Sequence, residues 1–340
     1  MKRHKRKGIG NGEAFDEAAV NVKIAAAARK TLNRTGVRVG VGDDAAVWTP
    51  RADYEVILTS DWFLEGTHFL RNVHPAESIG WKCLARAVSD VAAMGGEPRC
   101  FLLSLALPTP IAGNWLGQFL RGLVRASRKL GCPLAGGDTS RGDKVGINIT
   151  VIGETKKDRA ILRSGARPGD KIFVSGRLGE AELGWRLIRG SRAASSSVRA
   201  LLRKHLYPQP RLTLGKWLAE KRAATAMMDL SDGLSSDLTR LCETSGFGAR
   251  IFEDEIPAAR RAFLREFRKR ELREAALHGG DDYELLFTAS PVNAANIRAA
   301  LFNGGITEIG EVTSARGIKL VNSSGAEIVL TAGGWDPFRR

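Results

Sequence analysis

Cysteine is scarce: the 340 residues hold four (Cys83, Cys100, Cys132 and Cys242), far apart and with no CxxC pair. That spacing excludes a disulfide framework and a cysteine zinc site. No window approaches 18 consecutive apolar residues, and the greasiest runs, 101–107 and 144–153, have the length of buried strands. A membrane-spanning helix is therefore not expected. The charged start Met1-Lys2-Arg3-His4-Lys5-Arg6-Lys7 leads into Gly8-Ile9-Gly10 rather than an apolar segment. It reads as a basic tail on a cytoplasmic protein, not as a secretory signal. With only 12 prolines the collagen-like and low-complexity classes drop out as well. Acidic residues are outnumbered, 37 against 52 basic. That excess suits a polyanion or a small phosphorylated substrate and selects neither.

What is present describes a folded chain: 43% hydrophobic and 26% charged residues, at a length that suits about two domains. Apolar spacing predicts helices over 13–32, 76–94, 114–130, 179–189 and 210–221. Strand patterns occupy 37–48, 54–60, 99–107, 144–155 and 171–175, with a short strand inside the glycine-rich 131–142. The runs 37–48 and 54–60 are expected to form a hairpin or adjacent strands across the turn 49–53. Ser164-Gly165-Ala166-Arg167-Pro168-Gly169-Asp170 is turn chemistry that opens a second unit, giving domains 1–155 and 156–340. Residues 191–197 read as a polar loop, Tyr207-Pro208-Gln209-Pro210 as a rigid connector, and the arginine-rich 257–277 as one solvated amphipathic helix.

The informative feature is a basic protein that repeatedly sets acidic residues in glycine-rich or apolar surroundings. They occur in Gly42-Asp43-Asp44-Ala45-Ala46, Thr59-Ser60-Asp61, Ser89-Asp90-Val91-Ala92-Ala93-Met94-Gly95, Gly136-Gly137-Asp138-Thr139 and Asp229-Leu230-Ser231-Asp232-Gly233. Buried carboxylates are costly unless paired with cations or a metal. An oxygen-only ligand set favours a hard divalent ion, and Mg²⁺ is usually held by one or two carboxylates plus substrate phosphates. Asp61, at the end of an apolar strand, and Asp138, in a turn, are expected to converge at one sheet edge. Asp90, in mid-helix among Ala87, Val88, Val91 and Ala92, is expected to face inward. No GxxxxGK[ST] loop occurs. Gly40-Val41-Gly42-Asp43-Asp44-Ala45 matches the dinucleotide pattern, but its carboxylates would repel a pyrophosphate and no helix follows. Metal-bridged phosphate binding outside the P-loop class remains.

Together these motifs resemble those of the thiamine-monophosphate kinases, in the superfamily that includes aminoimidazole ribonucleotide synthetase and selenophosphate synthetase. Further matches are Glu65-Gly66-Thr67-His68-Phe69, Ser140-Arg141-Gly142, Arg163-Ser164-Gly165-Ala166-Arg167-Pro168-Gly169-Asp170 and Gly279-Gly280-Asp281-Asp282-Tyr283-Glu284-Leu285, all in family order. The resemblance implies an α+β, two-domain aminoimidazole ribonucleotide synthetase-like fold whose N-terminal domains pair into a shared β-barrel in a homodimer. It implies ATP-dependent phosphorylation of thiamine phosphate to thiamine diphosphate, with ATP as co-substrate and several Mg²⁺ ions.

By position, the resemblance assigns Asp44, Asp61, Asp90, Asp138 and Asp229 as Mg²⁺ carboxylates, with Thr59 and Ser60 beside Asp61 and Asp232 as a further ligand. Gly137, Asp138, Arg163 and Ser231 would contact ATP, and His68, Asp281 and Trp335 the thiamine phosphate. Asp281 stands where the family usually has Glu. No general base or covalent nucleophile is expected, because a phosphate oxygen is already deprotonated at neutral pH. A selenophosphate synthetase would need a cysteine near the N-terminus, and the first here is Cys83. Another ATP-using member of the superfamily is the alternative; a nucleic-acid-binding protein would explain the +15 charge but none of the aspartates.

Overall fold

The computed structural model describes residues 17–31, 36–111, 113–190, 196–300 and 305–338. The basic tail, the start of the predicted first helix, most of its stop at 33–36 and residues 191–195 of the polar loop lie outside them. The N-terminal half is built on a four-stranded sheet in the order β3 (Tyr54–Leu64), β6 (Gly146–Lys156), β4 (Glu97–Leu107) and β5 (Leu134–Arg141), preceded by α1 (Glu17–Arg29) and the short pair β1 (Val37–Val39) and β2 (Val47–Trp48). β6 pairs antiparallel with β3 and β4, and β5 runs parallel to β4, leaving β3 and β5 as free edges.

One face of this sheet is covered by α2 (Ala76–Ala93), which packs on α3 (Asn114–Leu130). Close approach is built in on both sides: a Cβ at Gly80 would sit 2.0 Å from the Phe119 carbonyl oxygen, and one at Gly122 1.9 Å from that of Glu77. The other face is bare, and along β3 it exposes Val56 (46%), Leu58 (70%) and Trp62 (57%). Isolated apolar side chains on a surface are ordinary, but a row of them on a sheet face marks a contact surface.

The C-terminal half carries a seven-stranded sheet. Its order is β13 (Glu327–Val329), β12 (Gly317–Val321), β9 (Gly248–Phe252), β11 (Ile306–Thr313), β7 (Lys171–Ser175), β10 (Glu284–Ala289) and β8 (Ala226–Leu230). β7, β8 and β10 are buried at every position but Lys171 because both faces are covered. Ile172, Met228 and Leu286 join one core, whereas Phe173, Met227 and Leu285 join another with α6 (Leu212–Glu220) and α9 (Pro291–Ala299). The helices α4 (Glu180–Arg189), α5 (Ser196–Leu206), α7 (Leu234–Ser245) and α8 (Lys269–His278) complete the unit. α2 also touches α5, α6 and β8, so one helix serves as core for both halves. Among the described residues no helix is long and apolar enough to cross a membrane, and all four cysteines are buried and free.

Several expected elements differ. The run 37–48 is not one strand: Gly40, Gly42 (φ +120°) and the local bond from the Asp44 N–H to Asp43 Oδ1 (2.9 Å) turn the chain, so β1 pairs with β2 while β3 pairs with β6. The predicted helix over 257–277 breaks into a 3₁₀ turn (Arg261–Arg265) and α8, because Phe263 and Phe267 are pulled into a core with Leu183, Val198 and Leu272. α5 was not expected. Asp138 lies in β5, not in a turn, since pairing with β4 overrides the glycine-rich local signal. Asp61 sits inside β3 rather than at its end. The two therefore stand at opposite edges of the sheet instead of converging at one.

Candidate active site

Where the two halves meet, a cavity of about 750 Å³ opens between α2, the end of β8, the 279–283 loop, α4 and the segment 333–337. Its charged end is assembled from three elements. Asp61 comes from the α2-facing side of β3, Asp90 from the last turns of α2, and Asp229 and Asp232 from the end of β8. Asp90 is inward as expected, and Thr59 Oγ1 donates to Asp90 Oδ2 at 2.5 Å. Burial pushes the Asp61 and Asp90 carboxyls up, and for Asp61 the neighbouring Asp90 and Asp232 add to the effect of burial while Arg86 opposes it. Burial, then Asp90, pushes the fully buried Asp229 up further still. Crowded carboxylates with raised pKa values mark functional clefts more often than structural cores.

The turn that presents Asp232 is held by Asp237, a residue the motif reading passed over. Asp237 Oδ2 accepts from the Asp232 and Gly233 N–H groups at 3.0 and 3.1 Å, and Arg240 pairs with both aspartates.

At the other end the wall is aromatic and cationic. His68, Phe69, Trp185, Tyr283 and Trp335 line it, and Trp185 stacks on His74 and His205 with ring centroids 5.4 and 5.6 Å apart. Asp281 is bound tightly into this wall: Lys82 Nζ donates to its Oδ2 at 2.7 Å and the Tyr283 hydroxyl to its Oδ1 at 2.8 Å. Burial alone would raise the Asp281 pKa, but Lys82, His205 and Arg86 hold it well below the usual carboxylate range. Asp281 (φ +70°) and Tyr283 (φ +50°) occupy the left-handed region although neither is glycine, strain that surrounding structure must over-determine and that clusters at functional sites. The adjacent Asp282 plays a supporting part instead. Its carboxylate accepts from the Gly179 and Ala181 N–H groups (2.6 and 3.2 Å), capping the α4 helix that carries Trp185.

His68 Nδ1 accepts the Leu64 N–H at 3.0 Å, which places the imidazole proton on Nε2. Burial, then Arg86, pushes its pKa down to about 4, so the ring is neutral at pH 7. Trp335 is held through its N–H to the Asp232 carbonyl at 2.9 Å and stays half-exposed.

The fold thus brings Asp61, Asp90, Asp229, Asp232, Arg163, Ser231, His68, Asp281 and Trp335 to one cavity, with Thr59 acting through Asp90. It does not bring four other candidates there. Ser60 Oγ lies on the bare face, bonded to Asn148 at 3.1 Å. Gly137 and Asp138 are exposed on edge strand β5, and exposed Asp44 belongs to the 40–46 loop beside that strand, where Ala46 approaches Gly136. The sequence reading also missed Lys82 and Arg86. The signal was available: Lys82, Arg86 and Asp90 recur every four residues on a largely buried helix, which puts them on one stripe.

Residues 42–155 match the family described as AIR synthase related protein, N-terminal domain, and residues 167–322 match its C-terminal domain. A thiamine-monophosphate kinase of Synechococcus elongatus is 35% identical over 303 residues, covering 87% of this chain and 91% of that protein. The crystal structure of the thiamine-monophosphate kinase from Stenotrophomonas maltophilia K279a superposes with a TM-score of 0.79 at 34% identity, over 87% of this chain and 95% of that one. A structure described as AaThiL complexed with AMPPCP and TMP gives 0.74 at 32% identity, over 92% and 96%. By fold, by ordered motifs and by identity over most of its length, the chain belongs to the thiamine-monophosphate kinase family within the AIR synthase related proteins.

Proposed function

We propose that this protein transfers the γ-phosphoryl group of ATP to the phosphate of thiamine phosphate, forming thiamine diphosphate and ADP. The observation that carries the reading is a cavity with carboxylates at one end and an aromatic wall at the other, in a chain 35% identical to a thiamine-monophosphate kinase across 87% of its length. An oxygen of the acceptor phosphate forms a bond to the γ-phosphorus while the bond to the β–γ bridging oxygen breaks, and ADP leaves with the electron pair. The attacking oxygen carries no proton at neutral pH, so alignment and charge stabilisation supply the catalysis and no general base is needed. His68, neutral with its proton on Nε2, donates a hydrogen bond to the thiamine moiety, and Trp335 stacks on a thiamine ring. Asp281 acts beside them by orienting Lys82 and Tyr283. Arg163 and Ser231 face the nucleotide.

Mg²⁺ fits the donor set. The ligands are all hard oxygens, and the burial and, after it, the mutual repulsion that raise Asp61 and Asp229 are what a divalent cation would offset. Among the described residues no three such groups already surround one point, in keeping with an ion held by one or two carboxylates and by substrate phosphates. Asp61, Asp90, Asp229 and Asp232 would supply one or two carboxylates to each of several such ions, and bound ions would neutralise charge on the donor and acceptor phosphates.

In this reading the working unit is a homodimer in the cytoplasm. The four-stranded sheet has two free edges and a bare apolar face. Joining β3 of one copy to β5 of the other would close an eight-stranded barrel, bury that face and carry Asp44, Gly137 and Asp138 of the second copy toward Asp61 of the first. The test is direct: incubation with ATP, Mg²⁺ and thiamine phosphate should yield thiamine diphosphate by chromatography, and chelation by EDTA should stop it. ATP binding without that product, with an aminoimidazole precursor consumed instead, would overturn the substrate assignment.

A further inference from the structure

The middle member of the α2 stripe is unlike its neighbours. Lys82 is matched by Asp281 at 2.7 Å and Asp90 by Thr59 at 2.5 Å. Arg86, between them, has a fully buried Nε that makes no hydrogen bond. Its nearest carboxylate oxygen is Asp61 Oδ2, 3.8 Å away, too far to accept that proton, and its guanidinium carbon lies 5.1 Å from the centre of the Phe63 ring. A buried donor without an acceptor is disfavoured unless a ligand completes it. The group also cannot escape by losing its proton: burial acts to discharge it, yet the carboxylates of Asp61, Asp281 and Asp232 around it keep it charged.

Its position says which ligand oxygen would complete it. One helical turn toward the N-terminus of α2 stands the Lys82–Asp281–Tyr283 wall, and one turn the other way stands Asp90, near Arg163. Arg86 therefore lies at the junction of the aromatic and carboxylate ends, where an acceptor phosphate must meet the donor's γ-phosphate. The carboxylates can act on phosphate oxygens only through a cation. A guanidinium binds them directly, with a planar fork that suits two oxygens of one phosphate.

Resting on the functional reading above, we infer that Arg86 binds the phosphate of the acceptor and holds it against the transferring phosphoryl group. It is a catalytic residue that touches substrate, and it is not merely the counter-charge of Asp61.

The test compares the full-length wild type with Arg86→Met and Arg86→Lys, each first shown to be folded by circular dichroism. Titration calorimetry with thiamine phosphate alone, and separately with ATP and Mg²⁺, reads the two ligands independently. Arg86→Met should weaken thiamine phosphate binding about tenfold or more, as expected for loss of a charge-assisted bidentate contact. ATP binding should remain within about twofold. Arg86→Lys should fall between, with a raised KM for thiamine phosphate, and added guanidinium ion should restore part of the lost kcat of Arg86→Met. Unchanged affinity for thiamine phosphate, or equal loss of both ligands in a folded variant, would overturn the inference. Should Arg86→Met fail to fold, Arg86→Lys carries the same decision, because a wild-type KM in that variant would contradict a bidentate role. A wild type that makes no thiamine diphosphate would instead overturn the functional reading itself.

Discussion

The acidic residues of this protein fall into two regions with opposite surroundings. Asp61, Asp90, Asp229 and Asp232 are gathered by one chain and partly or wholly buried; burial raises the carboxyl pKa of Asp61, Asp90 and Asp229, and neighbouring aspartates add to the rise at Asp61 and Asp229. Asp44 and Asp138 stand exposed at the far edge of the same sheet, next to a bare apolar face. The inner group shows how a single chain stores unfavourable electrostatics in a cleft that ligands can relieve. The outer group shows what a single chain leaves unfinished: exposed acidic side chains outside the inner cavity, beside an edge strand and an apolar surface that invite a second copy.

The largest expected effect comes from breaking the inner group. Asp229→Asn should lower kcat at least about a hundredfold, because charge stabilisation is the catalysis. Measured without Mg²⁺, its thermal midpoint should stay the same or rise. The Asp229 pKa is raised by burial and Asp90, so its ionised form costs stability above the unfolded pKa, and the amide removes that cost. A variant that keeps wild-type kcat would take Asp229 out of the site.

A smaller effect should follow from spoiling the bare face. Trp62→Asp places a charge where Trp62 is 57% exposed. It should leave the monomer folded, shift sedimentation toward single chains and reduce activity about tenfold or more by separating the outer residues from the inner ones. A monomeric variant with full activity would show that the two groups work independently.

The smallest effect is on acid stability. Burial lowers the pKa of His68, His74 and His205. Between the unfolded histidine value of about 6.5 and the lowered folded values, the unfolded chain binds more protons than the native one, so stability rises with pH across that window. Carboxyls with raised pKa values, Asp229 and Asp237 among them, act in the opposite sense over the same range, so the test is a difference: between pH 7 and 4 the thermal midpoint of His205→Gln should gain on that of the wild type as the pH falls. A difference between the two midpoints that does not change with pH would contradict the buried, neutral assignment.

Much of this was legible in the sequence, for physical reasons that differ by element. α2 and α3 were readable because helical burial leaves apolar residues at helix spacing, and β7 because a strand covered on both faces leaves a short apolar run behind a turn. The two domains were readable from the chain length and the turn at 164–170, whereas the fold family and the kinase assignment came from ordered motifs rather than from periodicity. Asp90 was readable since a carboxylate in mid-helix among alanines and valines has few places to go. Asp138 was misread as a turn residue because glycine-rich local chemistry says nothing about the neighbouring β4 that makes 134–141 a strand. Lys82 and Arg86 do not stand out among the 52 basic residues until the fold shows them buried on the stripe that carries Asp90. Asp282 looks like a motif aspartate and Asp237 lies outside every motif, and only the three-dimensional contacts reveal them as supports for α4 and for the Asp232 turn.

The central claim is that the inner and outer acidic groups form one site only where two chains meet. Asp61→Asn and Asp138→Asn should each be nearly inactive as pure dimers. Mixed under conditions of subunit exchange, they should recover about a quarter of wild-type thiamine diphosphate formation, since half the dimers would be mixed and each would hold one site with neither substitution. A mixture as inactive as its parents, or an Asp138→Asn protein active by itself, would contradict the account.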